Sequence, residues 1–85
     1  MVTVHPNALK HGLTEQEVEA AWENYVVGAV RVPGEGEVRI GVDPSGRDVE
    51  MVGALIQDSG WLVYHAMRPP TKKVRREIER GMRRR

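Results

Sequence analysis

The chain contains no cysteine and no phenylalanine, and its only aromatic residues besides histidine are Trp22, Tyr25, Trp61 and Tyr64. The lack of cysteine excludes disulfides, thiolate zinc sites and a thiol nucleophile, and it fits a cytoplasmic protein. The three histidines, His5, His11 and His65, match no metal-binding spacing, so neither a metal nor a cofactor is expected. A glycine-rich phosphate loop is also missing: Gly34-Glu35-Gly36 is short, and it is acidic where a phosphate would sit. Ser45 and Ser59 both lie in turn sequences, and neither sits in a nucleophile elbow. No apolar run approaches the roughly 20 residues of a membrane span, so no membrane association is expected. The opening MVTVHPNALK has no apolar core of the signal-peptide kind.

What is present fits one domain over residues 1–85. With so few aromatics, the core must be built from Val, Leu, Ile, Ala and Met around the two tryptophans and two tyrosines. A core this modest makes a partner or a homodimer a plausible source of further stability. The net charge of +1 hides a strong segregation. Residues 1–67 carry four Lys/Arg against ten Asp/Glu, whereas residues 68–85 carry nine against two. A basic end on an acidic body points either to an acidic partner, such as nucleic acid, or to a solvated arginine-rich helix.

Along the chain, residues 1–4 read as a short edge strand or a frayed end. His5 to His11 reads as a short helix, with Pro6 in its first turn and Gly12 at its exit. Thr14 and Glu17 form a capping box, and Leu13 and Val18 occupy the positions of a hydrophobic staple. Val18, Ala21, Trp22 and Tyr25 then make one apolar stripe of a helix ending near Asn24. Residues 25–32 are rich in β-formers. The stretch from Arg39 to Arg68 reads as three strands joined by turns at Asp43-Pro44-Ser45-Gly46 and Asp58-Ser59-Gly60. Pro69-Pro70 stops the last strand. Thr71 caps a closing helix from Lys72 to about Arg84, with a thin apolar stripe of Val74, Ile78 and Met82. The expected fold is α+β: two N-terminal helices, a four-stranded antiparallel meander and a basic C-terminal helix, with the helices against one face of the sheet.

The side chains suited to chemistry are those of proton transfer and phosphate binding. RNA cleavage needs a base for the 2′-hydroxyl, a cation for the phosphorane and an acid for the leaving oxygen, and no metal is obligatory. Glu37 and Arg39 share one face of their strand, opposite Val38 and Ile40. Regular alternation places His65 with Val63 and Met67, and Tyr64 with Ala66 on the other face. If His65 shares the face of Arg39, the two converge on one phosphate. The bland alternatives are a cross-strand ion pair for Glu37 and Arg39 and a backbone-bonded histidine at position 65. Lys10 and His11, beside a helix C-terminus, form a second candidate cluster, with end-capping as the bland alternative.

Several short motifs, in this order, resemble the BrnT-like branch of RelE-fold toxins from type II toxin–antitoxin systems. They are Lys10-His11-Gly12, Glu37-Val38-Arg39, the hairpin from Gly41 to Arg47, and His65-Ala66-Met67-Arg68-Pro69-Pro70-Thr71. In that family's pattern an arginine follows the alanine of the last motif; here Met67 stands there and Arg68 comes one place later. The resemblance implies a RelE-like fold, a ribonuclease toxin and a cognate small antitoxin. Motif order and the basic residues of the meander together make Arg39, His65 and Arg68 the expected catalytic set, Arg39 for the phosphorane, His65 as acid or base and Arg68 for the RNA backbone, with Lys10, His11, Arg47, Lys72 and Lys73 expected to contact RNA. Met67 favours an alternative, a non-catalytic interaction module of similar fold. The basic end favours a third, a nucleic-acid-binding protein unrelated to toxins.

Overall fold

Helix α1, Glu15–Glu23, starts at its capping box. The Thr14 hydroxyl accepts from the Glu17 N–H at 3.1 Å, and the Glu17 carboxylate accepts from the Thr14 N–H at 2.8 Å. Asn24 closes the helix by donating its side-chain amide to the Ala20 carbonyl at 2.9 Å. The chain then enters β2, Tyr25–Val32, and continues through β3, Gly36–Val42, β4, Asp48–Ile56, and β5, Gly60–Met67. Helix α2, Lys72–Arg83, follows, with the Thr71 hydroxyl accepting from the Val74 N–H. The computed structural model describes residues 1–56 and 60–83. The Asp58-Ser59 part of the expected turn, the side chain of Met82 and the expected helix end at Arg84 lie outside the described residues.

The class is α+β, but the sheet is five-stranded and mixed rather than four-stranded and antiparallel. The additional strand is β1, Val2–Val4, which runs parallel to β5 and gives the order β1-β5-β4-β3-β2. Its hydrogen bonds continue at both ends, from Trp61 N–H to the Met1 carbonyl and from His5 N–H to the Val63 carbonyl. Val2 and Val4 turn inward onto the core while Thr3 is exposed, so this strand follows ordinary period-two burial. Pairing with the free edge of β5 satisfies backbone groups that would otherwise be open.

The expected pair of N-terminal α-helices is also corrected. Pro6–Leu9 is a single 3-10 turn. It buries only Ala8, and Gly12, at φ +87°, ends the segment, so no apolar stripe forms to support a longer helix. With both corrections the anticipated RelE-like arrangement, two N-terminal helices beside four antiparallel strands, is not the one observed.

Nor do the helices share one face. Val18, Ala21 and Trp22 of α1 pack with Val49, Met51, Val63 and Ala66 on one side of the sheet. Val74 and Ile78 of α2 pack with Val38, Ile40 and Val52 on the other. Strand β4 is covered from both sides, and its five residues from Val49 to Gly53 are all buried. This explains its unbroken apolar run with one embedded acid, Glu50.

Two glycines set the depth at which α1 lies. A Cβ on Gly53 would stand 2.6 Å from the Trp22 ring, and one on Gly41 would overlap the Ala21 carbonyl. The helix backbone thus rests directly on β3, with no side chain between. We expect Gly41→Ala to cost about 3 kcal/mol or more by overpacking. In a domain this small, that lowers Tm by more than about 10 °C, read by circular dichroism. An unchanged Tm would mean that α1 can lift off without cost.

Candidate functional site

A β-bulge decides which side chains meet. Met51 pairs with Ala66 and Val52 with His65, but Gly53 pairs with Val63, so Tyr64 is the extra residue in β5. Val63 and Ala66 therefore both face α1, and His65 turns to the α2 face. Regular alternation would have put His65 with Val63. Arg39, paired with Met51, remains on the α1 face. The conditional convergence of Arg39 and His65 on one phosphate does not occur, because the sheet stands between them.

On its own face, Arg39 is enclosed. Its guanidinium lies 4.0 Å from the Trp22 ring centre, 4.2 Å from Tyr25 and 5.1 Å from Trp61. Glu37 pairs with it at 3.0 Å, and only 12% of its side-chain surface is accessible. Stacking between rings suits the flat, weakly hydrated guanidinium.

Arg68 is engaged on both sides. It donates to Asp43 at 2.6 Å and to Glu17 at 3.1 Å, joining the end of β5 to the β3–β4 turn and to the start of α1. The other Asp43 oxygen accepts from the Ser45 hydroxyl, the Ser45 N–H and the Arg47 N–H. Arg47 stays at this turn, its Nε 3.0 Å from the Ser45 oxygen. Arg47 and Arg68 line a second cleft with Asp48, Pro69, Pro70 and Arg75.

The α2 face holds the other cluster. A cleft of about 520 Å³ opens between the 3-10 turn and the start of α2, with β4 and β5 along it. It brings together four of the predicted site residues, Lys10, His11, His65 and Lys73. Lys72 is exposed on the same helix turn and does not line the cleft. Sequence reasoning missed Glu50, Tyr64 and Arg31, which also line it. For Glu50 a signal existed: a lone acid inside an apolar strand must find a partner. The bulge that presents Tyr64 beside His65 had none.

Glu50 organises this cleft. It is 4% exposed. One of its oxygens lies 2.8 Å from His65 Nε2 and the other accepts the Thr71 N–H at 2.6 Å. Burial pushes the carboxyl up, but the Thr71 and His65 hydrogen bonds outweigh it and hold the group below its ordinary value. Glu50 is therefore ionised at neutral pH and can only accept. His65 must donate through Nε2, which leaves Nδ1 to take or give a proton. The His11 ring stands edge-on to His65, centroids 5.9 Å apart. Arg31 is held by a bidentate pair with Glu77 at 2.8 and 2.9 Å. That arginine holds the Glu77 carboxyl below its usual range, with smaller help from Arg80 and Lys73. Among the described residues, no group of three His, Asp or Glu side chains is placed to hold a metal ion. No helix among them is long and apolar enough to cross a membrane.

Comparison with protein-family models, with curated proteins and with solved structures finds no match to this chain.

The Asp43 network sets an acid limit. Hydrogen bonds from the Ser45 hydroxyl and the Arg47 N–H, with Arg68 beside them, lower the Asp43 carboxyl to about 2. A carboxylate with a depressed folded-state value stabilises the fold above its unfolded value, near 4, and loses that contribution as pH falls toward 2. Urea midpoints should therefore drop over this window, and Asp43→Asn should flatten that part of the profile while lowering stability at neutral pH. An identical acid limb in the variant would remove Asp43 as its source.

Proposed function

We propose that this protein is a metal-independent endoribonuclease whose active site is the cleft of His11, His65 and Glu50. The observation that carries this reading is the pairing of buried Glu50 with half-buried His65 at 2.8 Å, with a second imidazole 5.9 Å from the first. Glu50 fixes the tautomer and orientation of His65 without touching the substrate. One imidazole takes the proton of the 2′-hydroxyl as that oxygen attacks phosphorus. The other gives a proton to the departing 5′-oxygen, leaving a 2′,3′-cyclic phosphate. Lys10 and Lys73 stabilise the charge on the phosphorane oxygens. Arg39 and Arg68, with their ion-pair partners, hold the framework.

A toxin role restrained by a small antitoxin is part of this proposal. It rests on the order of the short motifs, from Lys10-His11-Gly12 to the stretch ending at Thr71. The cleft supports the chemistry and is silent on the genetic setting. A second reading, a non-catalytic nucleic-acid or protein interaction module, is favoured by one specific observation. Arg39 and Arg68, the two arginines of the expected catalytic set, are both engaged in ion pairs.

Purified protein in excess EDTA should cleave a labelled RNA with a bell-shaped pH–rate profile, since one imidazole must be neutral and the other protonated. His65→Ala and His11→Ala should each lower the rate by about 10²- to 10⁴-fold. Intact RNA at every pH would eliminate the nuclease and favour the interaction module. Inducing the chain in cells tests the toxin role separately: growth arrest relieved by a co-expressed neighbouring gene is expected, and unimpeded growth with abundant folded protein would remove that role.

As a positioning residue, Glu50 has its own signature. Glu50→Gln should lower kcat less than loss of His65 does, with KM unchanged. A rate loss that only follows a lowered Tm, or a raised KM with kcat unchanged, would assign Glu50 a purely structural role.

A further inference from the structure

The sheet separates the charges of this molecule. The outward side chains of α1 are acidic, Glu15, Glu19 and Glu23, and they lie across the sheet from the cleft. Helix α2 contributes the cations of the cleft side. Lys73 lines the cleft, and Arg76 and Arg80 follow it at three and seven residues along the same helix. On an α-helix those positions form one row, rising by about 10 Å from first to last. Both arginines are exposed, and neither they nor Lys73 makes an ion pair among the described residues. Glu77, the one acid within this row, is already neutralised by the bidentate Arg31 pair.

We infer that Arg76 and Arg80, continuing the row that Lys73 begins in the cleft, form a backbone track that carries the phosphates flanking the one in the cleft, so that the site takes a single-stranded oligonucleotide rather than a dinucleotide. This deepens the nuclease reading and rests on it for the position of the central phosphate. The choice of a nucleic-acid strand over an acidic polypeptide follows from continuity. The row begins inside the cleft at Lys73, where the reading places the central phosphate, and continues along the helix as exposed cations that make no ion pair among the described residues. A polyphosphate chain needs only such point charges. The sheet also steers: a polyanion is repelled from the α1 side and drawn to the α2 side.

The test uses the whole chain, a 2′-O-methyl RNA strand of about a dozen nucleotides that cannot be cleaved, and an Arg76→Gln/Arg80→Gln variant. Both substitutions are at exposed helix positions where glutamine is well tolerated, and circular dichroism checks the fold. Fluorescence anisotropy over about 50–200 mM salt should show the variant binding about tenfold more weakly. Its log K against log salt slope should fall by about 1.4, about 0.7 for each lost phosphate contact. Cleavage of a dinucleoside monophosphate should be the same in variant and parent, while cleavage of the long strand's all-ribose counterpart should fall. Unchanged affinity and slope would overturn the track, as would a parent that does not bind the strand. Poly-glutamate is the competing ligand: if the variant loses poly-glutamate binding and keeps RNA binding, the row belongs to an acidic polypeptide and the track is overturned. Binding is read without cleavage, so a parent that binds with the expected slope but cuts nothing would refute the nuclease and leave the track standing.

Discussion

A single buried carboxylate, Glu50, ties the α2 half of this molecule together. It projects from the middle of β4, where burying an unpaired charge would cost several kcal/mol. Its two oxygens are satisfied by different elements, His65 of β5 and the Thr71 backbone ahead of α2. The same contacts that make the buried charge tolerable fix the imidazole's tautomer and anchor the first turn of the helix. That anchoring sets the face on which Val74 and Ile78 reach the sheet and Lys73 reaches the cleft. Site and fold therefore share one constraint.

The α1 half relies on cations instead. Arg39 fills a space walled by Trp22, Tyr25 and Trp61, a use that compensates for scarce aromatics by stacking a guanidinium among them. Arg68 links the start of α1 to the β3–β4 turn through Glu17 and Asp43. The basic residues thus divide into two populations. Arg31, Arg39 and Arg68 are bound by carboxylates and hold elements together, whereas Lys10, Lys73, Arg76 and Arg80 make no ion pair among the described residues and face the cleft or solvent. A basic residue in the sequence carries no mark of which population it joins, because the difference lies in whether an acid from a distant segment reaches it.

Much of the fold was legible because it is local. The Thr14–Glu17 box, the stripe of Val18, Ala21 and Trp22, the β-rich run from Tyr25 to Val32 and the cap at Thr71 all depend on residues a few positions apart; Tyr25, expected as the fourth member of that stripe, instead opens β2 and is exposed. What was not legible depends on partners far along the chain. Residues 1–4 read equally as an edge strand or a frayed end, because three residues are too few to decide; the strand Val2–Val4 exists because β5 offers an open edge. The segment after Pro6 has good helix ends but too little apolar surface between them, which only the packed structure exposes. Of the candidate site, Lys10, His11, His65 and Lys73 were identified by type, but their convergence was not, and Glu50 was passed over as one letter in an apolar strand.

The amino-acid sequence by itself determined the caps at which α1 and α2 begin, the apolar faces of those two helices, and that the acid and base of this chain are concentrated in different segments. Periodicity and capping are short-range, so they are written in neighbouring residues. Tertiary structure alone decided which face each strand residue takes and which helix covers it. One extra residue, Tyr64, reversed the side on which His65 lies, since a single insertion in a period-two strand exchanges its faces. That shift placed His65 with Glu50 and His11 and left Arg39 on the other side, because a bulge is selected by how two strands and the layers above and below them pack together, not by the residues of the bulged strand alone.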